Sequence, residues 1–212
     1  MKQLTAIFCF VFFVSGICKA QQEESLNPYV KLGQKALIDG DFKLAVSHLE
    51  KSLPADSNNA NVLYMLGYSY YHSGSYPKAV NSFTRVLSLH PNEVSAYYYR
   101  GKARNILGAQ MNSTLSAVER EKLLLACIKD FSRGIELNNS DIKFYQNRAI
   151  AYRDYGILKG QKTPKVYDKS AAETAYKACI SDLQHVLDLN PGRKDITVEM
   201  KKAKVYMDNL SN

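Results

Sequence analysis

Residues 60–92 read ANVLYMLGYSYYHSGSYPKAVNSFTRVLSLHPN, and their spacing is the strongest indication of the fold. Leu63 and Tyr70 share one helical face with the apolar residues between them, so they mark the buried side of a first helix. Gly74 follows that face and fits a helix stop, while Pro77 lies where the first turn of a second helix accepts proline. The stretch therefore predicts a hairpin of two helices.

This hairpin resembles the tetratricopeptide repeat (TPR). The family pattern is a large residue, two spacers, Leu-Gly, two spacers, Tyr, then Ala-x-x-x-Phe and a closing Pro. Leu63 stands where the family commonly has Trp, and the small Gly67 and Ala79 let the two helices approach closely. The residues that carry the resemblance are Leu63, Leu66, Gly67, Tyr70, Ala79, Phe83 and Pro91.

The same spacing recurs along the chain. Gly33, Gly67 and Gly101 follow one another at a constant interval, which equals the TPR period. The period then breaks, because Cys127 lies much farther from Gly101 than Ala79 lies from Gly67. The third unit therefore carries an insert. A fourth unit, built around Tyr145, Ala149 and Tyr152, carries a similar insert before Cys179.

Both inserts fall between the two helices of a unit, near residues 110–121 and 158–172. Ser116 is followed at the capping-box spacing by Glu119, which predicts a lengthened second helix. The second insert is basic and is predicted to be a loop that ends in a helix start near Ser170. The inserts are either functional features or tolerated surface variation.

The resemblance implies an all-α fold, a right-handed superhelical array of about four TPR hairpins. After the last hairpin, Ile196, Met200 and Ala203 recur at helical spacing and predict a C-terminal capping helix. The predicted organisation is a secretory signal at 1–20, a polar leader at 21–27, TPR units at 28–58, 59–92, 93–140 and 141–191, and a capping helix with its tail at 192–212.

Residues 1–20 have the pattern of a secretory signal. Lys2 precedes a short apolar run from Leu4 to Ile17, and small residues precede Gln21. The pattern predicts export and a periplasmic or extracellular location after cleavage, with an uncleaved membrane anchor as the alternative. A lipoprotein signal is disfavoured because Ile17 precedes Cys18, where that class requires a small residue.

Loss of residues 1–20 removes two of 28 bases and leaves 26 against 20 acids, a net charge of +6. This charge suits an acidic partner or a membrane surface, or else is simply a solvated surface. Nucleic acid is not expected as a partner, because the bases are scattered and the chain carries an export signal.

Cys127 and Cys179 remain after cleavage and occupy the small-residue slot that Ala45 and Ala79 fill in earlier units. Equivalent points on packed helices are about 10 Å apart, whereas a disulfide needs Cα atoms within about 7 Å. Buried free thiols are therefore favoured over a disulfide.

No motif for chemistry accompanies the repeats. The four histidines have no metal-ligand spacing, and neither a nucleophile motif nor a phosphate-binding glycine loop is present. The sequence therefore predicts a protein that is not an enzyme, with no cofactor, no metal and no small-molecule substrate.

In the TPR family the first helices of successive units line a concave groove that binds an extended peptide or a partner helix. Because Leu63, Leu66 and Tyr70 face the core, the residues between them on that helix face the groove. Tyrosines and bases there suit a polar or acidic segment, unless the rings pack against neighbouring helices or an insert. The predicted partner-binding groove comprises Asn61, Tyr64, Tyr68, Tyr71, Tyr98, Lys102, Asn105, Lys143, Gln146 and Arg153.

Some TPR proteins bind the acidic C-termini of heat-shock chaperones through a clamp of Lys and Asn residues. Val30, Gln34 and Tyr68 occupy three of the clamp positions here, so that clamp is absent. The sequence predicts an exported adaptor or scaffold that binds a peptide segment or helix in a Tyr-rich, mildly basic groove. The alternative is a permanent structural subunit of an envelope complex that docks through its inserts or convex face.

Overall fold

A computed structural model describes residues 27–111 and 114–210, and helix is the only regular secondary structure in those ranges. The predicted secretory signal and most of the polar leader lie outside the described residues. The helices are α1 (Pro28–Ile38), α2 (Phe42–Asp56), α3 (Ala60–His72), α4 (Tyr76–Leu89), α5 (Val94–Ala109), α6 (Ala117–Leu137), α7 (Ile142–Gly160), α8 (Lys169–Leu189) and α9 (Lys194–Asp208).

The helices pair into successive hairpins, α1 with α2, α3 with α4, α5 with α6 and α7 with α8. Each hairpin packs on the next, and the predicted all-α array of helical hairpins is confirmed. First helices of neighbouring units also contact each other, whereas second helices make no comparable contact in the described chain. The first helices therefore form the inner side of the array, as a TPR groove requires.

Helix ends follow the local sequence. Asn59 accepts hydrogen bonds from the backbone N–H groups of Asn61 and Val62 at the start of α3. After α3 the chain turns at Gly74, whose φ of 81° lies in the left-handed region that glycine adopts without strain. The helix stop predicted at Gly74 is therefore confirmed.

The two inserts mainly lengthen helices. Both α6 and α8 have 21 residues, against 14 in α4. The capping box predicted at Ser116 is confirmed: its side chain accepts from the Glu119 N–H, and the Glu119 carboxylate accepts from the Ser116 N–H. The helix start predicted near Ser170 is confirmed, since α8 begins at Lys169; the predicted loop is shorter at its start, because α7 continues to Gly160.

The lengthened helices are stabilised by a small hydrophobic cluster that lies between α6, α7 and the loop before α8. Leu124 and Leu158 are buried completely, and Val166 from the short loop packs with them. Burying each such side chain contributes about 2 kcal/mol. The insert residues therefore continue the hydrophobic interior of the third and fourth hairpins.

The C-terminal helix α9 buries Ile196, Met200 and Ala203 against the last hairpin, as the amphipathic pattern predicts. Cys127 and Cys179 are free thiols, exposed by 0% and 2%, and this confirms the prediction of buried small residues. None of the helices in the described part of the chain is long and apolar enough to cross a bilayer.

Candidate functional site

Tyrosine rings line the inner side of the array between α3 and α5. Tyr64, Tyr68 and Tyr71 project from one face of α3 and are half-buried. Tyr99 of α5 lies among them, with ring centroids 6.5, 5.1 and 5.5 Å from the three. Edge-to-face contacts at these separations are favourable, so the four rings form one continuous surface, hereafter the tyrosine surface.

Tyr99 was not predicted as a groove residue. The repeat period selects its neighbour Tyr98, whose ring is 5.3 Å from that of Tyr99. Tyr99 instead faces the preceding hairpin, and its ring stacks on Phe83 of α4 at 5.8 Å. The sequence signal for it was the run of three tyrosines at 97–99.

Two further rings extend the tyrosine surface toward α2. His72, at the end of α3, stacks on Phe42 with centroids 4.6 Å apart, and its ring is 4.3 Å from Tyr68. Burial against these rings, and then the charge of Lys102, lower the pKa of His72. Its imidazole is therefore neutral at neutral pH and acts as one more aromatic face.

Two lysines flank the ring of Tyr98. The Lys102 ammonium lies 5.4 Å from the ring centroids of both Tyr71 and Tyr98, and the Lys143 ammonium lies 5.6 Å from that of Tyr98. These are cation–π distances. Lys143 also pairs with Asp141 at 3.4 Å, whereas Lys102 has no ion pair among the described residues. Lys102 is therefore the cation available to a ligand on this surface.

Three of the predicted groove residues are engaged inside the protein. Asn105 donates to Asp154 Oδ2 at 3.0 Å, and Arg153 donates to Asp154 and to Glu199 of α9 at 2.9 and 2.7 Å. Gln146 Oε1 accepts from Arg193 at 3.4 Å beside the start of α9. Binding of a partner by these three residues stays a prediction, and it would require them to keep or exchange these bonds.

The other predicted residues on α3 differ in what they contact. Asn61 is exposed at the start of α3. Tyr64 packs on Phe83 at 5.6 Å, and burial raises the pKa of its hydroxyl. The packing alternative thus describes Tyr64, and Tyr68 and Tyr71 also pack on the Tyr99 ring; of the three, Tyr71 borders Lys102.

A repeated ion pair joins the later hairpins and was missed from the sequence. Arg100 donates through Nε and Nη2 to Asp130, at 3.1 and 2.6 Å, and Arg148 donates in the same way to Asp182, at 2.8 Å for both bonds. Each arginine also reaches a hydroxyl on the preceding hairpin. The signal was the repeated Cys-Ile-x-Asp at 127–130 and 179–182.

The thiols of Cys127 and Cys179 are not activated as nucleophiles. Burial raises the pKa of Cys179 to about 12 and also raises the pKa of Cys127, so both are protonated at neutral pH. Within residues 27–111 and 114–210, no group of three or more His, Cys, Asp or Glu side chains is placed to hold a metal ion.

Comparison with known proteins agrees with this geometry. The family profile described as "TPR repeat" matches residues 67–105, which span the second half of α3, all of α4 and most of α5. Residues 67–105 are a tetratricopeptide repeat, and the hairpins on either side have the same fold. The chain is also similar to the "Photosystem I assembly protein Ycf3" of Acaryochloris marina (strain MBIC 11017), with 23% identity over 130 residues, 60% of this chain and 78% of that protein.

Two solved structures share the fold of this TPR array. The crystal structure of MamA protein aligns with a TM-score of 0.58 at 24% identity, and the alignment covers 86% of this chain and 84% of the MamA chain. The Arabidopsis OM64 TPR domain aligns with a TM-score of 0.50 at 19% identity, and the alignment covers 68% of this chain and 93% of the OM64 domain. At these identities the likeness establishes the fold alone.

Proposed function

We propose that this TPR protein is an exported, non-catalytic adaptor or scaffold that binds a peptide segment or helix of a partner protein on its inner face. The TPR fold supports a protein–protein interaction module. The observation that carries the proposal is Lys102, a cation without an ion pair in the described chain, held over the rings of Tyr71 and Tyr98. The secretory pattern of residues 1–20 supports export.

The chemistry of the groove favours a polar or acidic segment. Half-buried tyrosines offer large, rigid contact areas with hydroxyls at their tips. A carboxylate that reached Lys102 would gain a charge-assisted hydrogen bond, while the flanking residues of the segment lay on the tyrosine surface. Lys143, on the other side of Tyr98, extends the basic character into the fourth unit.

A relative's name supports a role in assembly rather than catalysis. The similar Ycf3 protein is named as an assembly protein, and an adaptor that holds one segment of a partner fits such work. For this chain we propose the class of function, binding of a protein segment during assembly of an envelope complex, and not that protein's partner.

The deciding experiment compares crosslinked partners of the wild-type chain and of a Tyr68→Ala, Lys102→Glu variant in the native envelope fraction. A Lys177→Glu variant is the control, because it makes the same charge change on an exposed residue of α8. We expect one discrete partner with the wild type and the control, and its loss with the groove variant. Recovery of the same partner by all three proteins would refute groove binding.

A second candidate function is a permanent subunit that docks through the convex side. Val118 and Leu125 lie two turns apart on α6 and are 52% and 45% exposed. Leu125 borders a crevice of about 520 Å³ between α6 and α8, whose floor includes Tyr152 and Tyr155 of α7. Exposed apolar surface of this kind marks interaction sites. A partner that survives the groove variant and is lost on Leu125→Lys would favour this function.

A further inference from the structure

A crevice of about 510 Å³ between α5 and α6 has a strongly basic lining. Its charged residues are four bases and two carboxylates, which leaves a surplus of two positive charges. The bases are Arg100, Arg104, Lys129 and Arg133, and the carboxylates are Asp130 and Glu136. Since the tyrosine surface shares none of these residues, the crevice is separate from the proposed groove.

Arg100 alone is enough to neutralise Asp130, one of the two carboxylates in the lining. Arg100 makes two hydrogen bonds to Asp130, and its remaining terminal nitrogen reaches Thr84 Oγ1 at 3.3 Å. The fourth hairpin has the same arrangement, with Arg148 bonded twice to Asp182 and also to a hydroxyl. There one arginine suffices for one aspartate, so Asp130 does not require a second arginine.

Arg104 is that second arginine. The repeat spacing aligns it with Tyr70 in the second unit and Tyr152 in the fourth, so the third unit has exchanged the usual Tyr for a base. Its side chain is only 18% exposed, and its one hydrogen bond in the described chain runs from Nη1 to Asp130 Oδ2 at 2.7 Å. Burial, together with the neighbouring Arg100, lowers the pKa of Arg104 although Asp130 opposes both effects.

The other two bases of the lining, Lys129 and Arg133, are also incompletely paired with acids. Lys129 has no ion pair among the described residues, and it aligns with the uncharged Asn81 and Ser181 of the neighbouring units. Arg133 is partly used, since it pairs with Glu136 at 2.8 Å and reaches Asn92 at 3.3 Å. Unpaired donors therefore come mainly from Arg104 and Lys129.

We propose that this crevice is a binding site for a phosphate-type oxyanion, with Arg104 as its principal ligand and Lys129 as the second. A planar guanidinium donates two parallel hydrogen bonds to the oxygens of such an anion, a geometry that a lone ammonium does not match. A doubly charged phosphate would balance the surplus of two positive charges in the lining. The crevice between α6 and α8 has Tyr152 at the position equivalent to Arg104. That crevice is mainly apolar and has no surplus of positive charge.

The test titrates inorganic phosphate and, separately, glycerol 3-phosphate into the ¹⁵N-labelled protein at constant ionic strength. We expect saturable shifts of the Arg104 side-chain signal and of backbone amides in 126–133. Arg104→Tyr should weaken binding about tenfold or more, the effect of losing a charge-assisted hydrogen bond, and Lys129→Ser should weaken it less. Tighter binding of glycerol 3-phosphate would identify a phosphate monoester as the ligand, and equal or weaker binding the free ion.

Both substitutions copy residues that the fourth unit already carries at the same positions, so the fold should tolerate them. Lys177→Ser removes one exposed positive charge from α8 and serves as the control, with unchanged affinity expected. The Tyr68→Ala, Lys102→Glu variant should also bind phosphate normally, which separates this site from the groove. Shifts that never saturate, or that persist in Arg104→Tyr, would overturn the proposal.

Discussion

At Gly134 the third and fourth hairpins approach each other closely. This glycine lies in α6 opposite the ring of Phe144 in α7, and a β-carbon there would overlap three of the ring carbons. Phe144 is itself 1% exposed and packs beside Phe131, so the ring has no open space to move into. Glycine is required at this position for close helix packing rather than for an unusual backbone angle.

Gly134→Ala should therefore destabilise the protein. Alanine favours the helix by about 1 kcal/mol over glycine, but overpacking against a fixed ring costs about 1–3 kcal/mol. Because the added β-carbon would overlap the ring, the upper end of that cost applies, and we expect a net loss of about 2 kcal/mol in the free energy of unfolding, measured by urea denaturation. Gly192→Ala is the control, since nothing lies within 4 Å of the added carbon. Equal stability of both variants and the wild type would contradict this packing argument.

At the scale of elements, the later hairpins differ from the earlier ones in how they join. The positions of Arg148 and Asp182 are held by Leu66 and Ser82 in the second unit, where the contact is mainly apolar. In the fourth unit the side chains of Arg148 and Asp182 are 21% and 8% exposed, and Arg148 also donates to Ser132 of α6 at 3.0 Å. The ion pair therefore links α7 to α8 and to the preceding hairpin.

Asp182→Ala should leave the Arg148 charge buried without its partner, which costs about 3 kcal/mol. The double change Arg148→Leu, Asp182→Ser copies the second unit and removes both charges, so most of that stability should return. Urea denaturation of the three proteins measures both differences. If the double variant were no more stable than Asp182→Ala alone, the loss would come from packing and not from an unpaired charge.

At the scale of the whole molecule, groups with raised pKa values lie in hairpins from α3 to α8. Burial raises the pKa of Tyr176 to about 12, and raises the pKa values of Tyr70, Tyr99 and Cys127 as well. Such groups keep their protons in the folded chain at a pH where the unfolded chain releases them, at about 8.5 for Cys and about 10 for Tyr. The folded state is then disfavoured as the pH rises.

Stability should accordingly fall between about pH 8.5 and 12, with full stability retained below the unfolded values. Each fully protected thiol contributes a slope of about 1.4 kcal/mol per pH unit. Urea midpoints at pH 7.5 and 10.5 measure the decline, and Cys179→Ala should make it shallower by removing one group. A midpoint that does not change between these pH values would show that the thiols and phenols titrate freely in the folded protein.

Sequence spacing was enough to predict the hairpins and their order along the chain. Small residues at Gly67, Gly101 and Cys127 allow helices to pack closely, and large residues at fixed spacing fill the space between them. Helical periodicity also placed Tyr68 and Tyr71 on one face of α3, because residues on one helix share a face whatever the neighbouring helices do. These are local properties, and local spacing encodes them.

The contacts that these helices make with distant parts of the chain could be seen only in the folded structure. Asn105 and Asp154 lie far apart along the chain, as do Arg153 and Glu199, so no local pattern could show that they bond. The position of Tyr99 between α3 and α4 depends on the angle at which one hairpin stacks on the next. The end of α7 extends into the second insert because Leu158 packs against Leu124 and Val166. Contacts across the stack set these outcomes, and they form only when hairpins distant in sequence pack together.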